Sequence, residues 1–131
     1  MPTIDYLHEG KEHEYRATIR TLAIYETNFD RDLIKDVLGH VEPGKSMMGE
    51  DDDGNITYID YTINNWGAYP RAFWAMLKTA EEIARRERRE HEKVPPYEEW
   101  QDAQIDLYEI SAAVITECNR GLFHTGAADS E

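Results

Sequence analysis

One cysteine in 131 residues, Cys118, excludes an intramolecular disulfide and makes the cytoplasm the natural compartment. No apolar run approaches the ~20 residues that a membrane-spanning helix needs. The opening MPTIDYLHEG lacks the basic-then-apolar layout of a signal peptide. Basic residues are scarce: 14 Lys and Arg against 27 Asp and Glu give a net charge of −13. A chain this acidic does not seek nucleic acid by neutralising phosphates. It stays soluble and can dock on a basic protein. No Gly-rich phosphate loop occurs, no Ser or Cys stands in a nucleophile elbow, and no carboxylate pair stands out. Nothing speaks for an enzyme, and no cofactor is implied.

What is there is aromatic and amphipathic. Three Trp and 40% hydrophobic content argue for a folded chain. From Pro70 onward, Phe73, Trp74, Leu77, Ala80, Ile83 and Ala84 recur three and four apart, one stripe of an α-helix. Pro70 suits its first turn, and Val94-Pro95-Pro96 stops it near Glu92. A second long helix is expected from about Pro96 to Arg120, with Trp100, Ala103, Leu107, Ile110, Val114 and Cys118 inward and Gly121 closing it. So short a connection predicts antiparallel neighbours. Trp74 and Trp100 should then share one core.

Ahead of this pair, Thr3–His8 and Glu12–Ala17 flank Glu9-Gly10-Lys11 as a short β-hairpin. Thr18 can cap a helix carrying Ile19, Leu22, Ala23 and Tyr25 to about Asn28. Asp30 can cap another with Leu33, Ile34, Val37 and Leu38 inward, stopped by Gly39. His40–Asn55 reads as a long loop and Thr57–Thr62 as a short strand. The fold class is mainly α with a small N-terminal β-hairpin (α+β). An antiparallel helix pair, 70–92 and 96–120, packs on shorter helices. Residues 1–123 form one domain, and 124–131 a flexible tail.

Charge is unevenly spread. Residues 78–93 hold six Lys or Arg against five Glu, leaving −14 for the rest. Arg85, Arg86, Arg88 and Arg89 end one expected helix, while Glu98, Glu99, Asp102 and Asp106 open the next. Folded back, the two groups would face each other, each also suiting its own helix dipole. The basic group is alternatively a partner site.

Gly49–Asp60 resembles a calcium loop with Asp51, Asp53 and Asp60 as ligands and Gly54 at the turn. Its first ligand position holds Gly49, however, and a solvated acidic turn is the better reading. Five histidines show no metal spacing, and Cys118, on the apolar stripe, reads as buried filler. The aromatic run Trp66, Tyr69, Phe73, Trp74 is core, with any exposed member free to join a docking patch.

The segments TIRTLAIYETNFDRDLIKDVLG and YIDYTINNWGAYPRAFWAMLKTAEE, followed by VPPYEEW and an amphipathic helix, resemble tail assembly chaperones of long-tailed bacteriophages and prophages. The likeness covers roughly Tyr15 to Phe123 and rests on short words, Trp-Ala-Met-Leu-Lys and Tyr-Glu-Glu-Trp among them. Pro70 and the acidic loop depart from it. The resemblance implies a non-enzymatic protein that binds the tape measure protein and helps recruit tail tube subunits during tail morphogenesis. It also implies self-association, the cytoplasm of an infected or lysogenic bacterial host, and absence from the mature virion. This chain has the length of the short form where a frameshift makes two. Trp66, Tyr69, Arg85, Arg86, Arg88 and Arg89 are the residues offered for partner contact. The alternative is an acidic DNA-mimic inhibitor of a nucleic-acid-binding enzyme; a single calcium-loop module ranks below it.

Overall fold

The computed structural model describes residues 2–38, 48–50, 56–58 and 66–123. The stripe that begins at Phe73 forms part of helix α3, Ala68–Arg86, with Pro70 in its first turn. Its burial is wider than one stripe, since Ala68, Tyr69, Ala72, Ala75, Met76 and Thr79 are covered as well. A helix apolar on so many sides lies at the centre of its fold, and α1 (Ile19–Phe29), α2 (Leu33–Leu38) and α5 (Leu107–Leu122) all pack on it.

The fold is mainly helical with a two-stranded antiparallel N-terminal hairpin, the α+β class expected. Strand β1 (Thr3–Ile4) pairs with β2 (His13–Glu14) in the register Thr3↔Glu14 and Ile4↔His13. The connecting turn is held by Asp5, whose carboxylate accepts from the Glu9 and Gly10 amides at 3.0 and 2.7 Å. Tyr15 N–H donates to Pro2 C=O, so the Thr3↔Glu14 pair is of the non-hydrogen-bonded kind. The backbone groups of Glu14 therefore point away from β1. One step on, Arg16 N–H donates to the Met76 carbonyl of α3 at 3.1 Å, hooking this edge onto the central helix.

Thr18 caps α1 as expected, in a box with Thr21. The inward face differs: Thr21, Ile24 and Tyr25 are buried, and Ile19 is 77% exposed. The face turns because the Thr21 hydroxyl meets that of Thr79 on α3 at 2.6 Å, drawing that side of the helix inward. Asp30 closes α1 in a left-handed conformation instead of opening α2, and Asp32 accepts from Lys35 N–H at the start of α2. Leu33 and Val37 face the core. Strand β4, Ile56–Tyr58, overlaps the expected strand at Thr57 and Tyr58 and pairs with β3, Met48–Glu50, in a stretch expected to be loop. The Gly39 stop and the tail lie outside the described residues.

The long-helix pair needs correction at both members. Helix α3 stops at Arg86, short of Glu92, because Arg88 turns left-handed (φ 57°) and the Arg88 and Arg89 amides return to the Arg85 and Ala84 carbonyls. Residues 89–96 then run back along α3 without regular structure, with Val94 N–H on Glu81 and the Pro95 carbonyl on the Trp74 indole. In place of one helix over 96–120 there are two, α4 (Tyr97–Trp100) and α5. Asp106 restarts the helix by accepting from the Tyr108 and Glu109 amides. Trp74 and Trp100 do share a core, linked through Tyr97 at ring separations of 5.8 and 6.0 Å. Gly121, expected to end the last helix, lies inside α5, where a Cβ would stand 2.2 Å from the Ala17 carbonyl oxygen.

Truncating Trp74 or Trp100 to Ala should cost about 3–5 kcal/mol in chemical denaturation; losses well under 1 kcal/mol at both would contradict a shared core. Gly121→Ala, a change that normally favours a helix, should instead destabilise by about 1–3 kcal/mol through the collision with Ala17. A gain in melting temperature would show that α5 does not dock so closely.

Candidate functional site

Three acidic side chains are almost fully covered among the described residues: Asp36, Glu81 and Glu117. Each fastens one segment to another. Glu117 on α5 accepts from the Ala17 amide at 2.9 Å and from the Arg120 guanidinium at 2.7 Å. Glu81 on α3 accepts from the Val94 amide at 2.8 Å. Its other oxygen lies 3.1 Å from the Lys78 ammonium and 3.5 Å from Arg85, close charges that lack hydrogen-bond alignment. Asp36 on α2 accepts from the Tyr25 hydroxyl of α1 at 2.7 Å and from both Arg31 donors at 2.6 and 2.8 Å, with Arg71 of α3 3.8 Å away. The Arg31 hydrogen bonds hold the Asp36 carboxyl below its ordinary range. Burial pushes the Tyr25 phenol up to about 12, so it stays a donor to Asp36.

These acids hold the fold together. An open cleft of about 730 Å³, bordered by Glu81, lies between the hairpin and the returning segment 89–94. Leu77, Ala80 and Val94 give it an apolar floor, and Glu12 and Glu14 form one wall. Two ion pairs cross it, Lys11 with Glu92 and Arg89 with Glu14, the second at 3.1 Å. Acidic groups dominate, five glutamates against Lys11 and Arg89. Nothing in sequence marked this site, since no local pattern announces that residues 89–94 turn back beside β2.

The residues offered for partner contact are dispersed. Trp66 is 41% exposed at the head of α3. Tyr69 is fully buried, its hydroxyl on the Val37 carbonyl at 3.1 Å, so it is withdrawn from any partner surface. Arg85, Arg86 and Arg88 are exposed at the far end of α3, and Arg89 is engaged by Glu14 and Glu87. The expected pairing of this arginine group with Glu98, Glu99, Asp102 and Asp106 does not occur among the described residues. Its partners are Glu81, Glu87 and Glu14, and Asp106 is spent on its cap. The early end of α3 leaves the arginines at the hairpin, whereas α4 lies beside Trp74 and Phe73.

Cys118 is buried, as read from its stripe, and burial pushes its thiol up to about 12. Asp51, Asp53 and Asp60 lie outside the described residues. Among the described residues no group of three or more His, Cys, Asp or Glu could hold a metal ion, and no helix is long and apolar enough to cross a membrane. Exposed apolar bulk remains at Ile19, Leu107, Tyr108 and Phe123 besides Trp66. No family model matches the chain, and comparison with curated proteins and with solved structures finds no match either.

The Asp36 clasp sets a pH dependence. Its depressed carboxyl contributes stability that is complete above the ordinary aspartate pKa of about 3.9 and disappears as pH falls through the lower folded value. Asp36→Asn should therefore lose about 1.5–3 kcal/mol at neutral pH, the range for hydrogen bonds to a charged group. The gap to wild type should shrink below about pH 4. A gap constant from pH 7 to 2 in urea melts would disprove the clasp.

Proposed function

We propose that this protein is a non-enzymatic chaperone of phage tail assembly, one that binds the tape measure protein and helps bring tail tube subunits to it in the host cytoplasm. The carrying observation is where the family-like words fall. The segment TIRTLAIYETNFDRDLIKDVLG supplies α1 and α2, Trp-Ala-Met-Leu-Lys lies within the central helix, and Tyr-Glu-Glu-Trp is the whole of α4. Large apolar side chains left outside, Ile19, Trp66, Leu107, Tyr108 and Phe123, suit contact with an amphipathic helical client. A net charge of −13 would keep such a complex dispersed. Arg85, Arg86 and Arg88, exposed in an otherwise acidic chain, suit acidic stretches of the client.

Light scattering after size exclusion tests this, on the protein alone and mixed with a fragment of a tape measure protein encoded beside it. The expected result is a soluble complex with a fragment that precipitates by itself, weakened severalfold by Trp66→Ala or by Arg86→Glu with Arg88→Glu. A strict monomer that ignores the fragment, and instead competes with DNA for a basic nuclease, would replace this reading with that of a DNA mimic.

A further inference from the structure

We infer that the cleft between β2 and residues 89–94 binds an extended, lysine- or arginine-bearing peptide by adding it as a strand to the open edge of β2. The inference rests on the cleft alone and holds whatever protein carries the peptide.

The edge comes first. Alternation along β2 directs the backbone groups of His13 and Tyr15 toward β1 and those of Glu12, Glu14 and Arg16 away from it. Arg16 is already engaged by the Met76 carbonyl, which fixes where that edge begins. Beyond it the backbone N–H and C=O of Glu14 make no hydrogen bond among the described residues, and both Glu12 and Glu14 line the cleft. An unpaired strand edge is a ready template for another chain.

The space comes second. Arg89 meets Glu14 and Lys11 meets Glu92, so the returning segment lies antiparallel to the hairpin edge, residues 89–92 facing residues 11–14. Yet no backbone hydrogen bond joins the two lengths. Long side chains span the interval, and the cleft between has about 730 Å³, inside the usual range for ligand sites of roughly 300–1,000 Å³. The returning segment thus stands off from β2, with the cleft and not a paired strand between them.

Charge and floor select the occupant. Alternate side chains of an added strand would point down onto Leu77, Ala80 and Val94 and up among the glutamates. Among the described residues Lys11 and Arg89 are already paired with Glu92 and Glu14, and Glu12 and Glu90 are the lining carboxylates left without a cation, which favours a basic peptide over an acidic one. Glu90 makes no ion pair among the described residues, and its side chain is exposed at the rim.

The test uses the intact protein and two capped six-residue peptides, one alternating Lys with Val and one alternating Glu with Val. The Lys peptide should bind and slow hydrogen exchange at the Glu14 amide, while the Glu peptide binds at least tenfold more weakly. Glu14→Pro removes the outward N–H at a position where edge strands accept proline, and should weaken binding at least tenfold further than Glu14→Ala, which keeps that N–H. Equal binding of both peptides, binding without protection of Glu14, or no binding at all would overturn the inference. So would a Glu14 amide already protected in the free protein, because residues 89–92 would then be the strand that fills the edge.

Discussion

Helix α3 is covered on nearly every side, and that burial dictates how the other segments attach. A polar group on or against a buried helix must find a partner or cost a few kcal/mol. Here four such groups find partners on other segments. Thr79 meets Thr21 of α1, the Trp74 indole meets Pro95, Glu81 meets Val94, and the Met76 carbonyl takes a second donor from Arg16. Apolar packing alone would hold these pieces near the helix without fixing their register. The directed contacts say which residue lies beside which.

The same logic explains the three buried carboxylates among the described residues. Ion pairs in low dielectric recover their desolvation cost only when the remaining lone pairs are also satisfied. Glu117 and Asp36 meet that condition with an arginine and a further donor each, and Glu81 has one amide and two nearby cations. These contacts are sequence-distant: Ala17 with Glu117, Tyr25 with Asp36, Val94 with Glu81. They replace the helix-to-helix charge pairing that the arginine and glutamate groups suggested.

What could be read from the chain was local. The 3.6-residue spacing gave α3, Thr18 marked the start of α1, and β-formers around Glu9-Gly10-Lys11 located the hairpin. What could not be read depended on tertiary partners. Leu77 and Glu81 look equally at home on a helix, and only Val94 shows why the second is buried. The spacing from Trp100 to Cys118 fits one helix, but Asp106 prefers to cap, and the chain between α4 and α5 takes irregular turns. Gly121 resembled a stop signal because close approach to Ala17 leaves no trace in local sequence. The cleft was invisible for the same reason, being formed by residues 11–14 and 89–94 brought together by the return along α3.

An open edge of two residues in an acidic protein carries its own discrimination. Were β2 to pair with β2 of a second copy, Glu12 and Glu14 would stand among their own kind, and like charges across a strand pair are unfavourable. The repulsion between two chains of −13 adds to this. Self-pairing is thus opposed by the same glutamates that attract a basic strand, so one set of charges supplies both the attraction and the rejection that specificity requires. Lys11 and Arg89 sharpen the choice, since they anchor Glu92 and Glu14 across the cleft and hold the returning segment at its distance. If they were acidic, the two walls would repel where they now pair. If the glutamates were neutral, the edge would invite any strand.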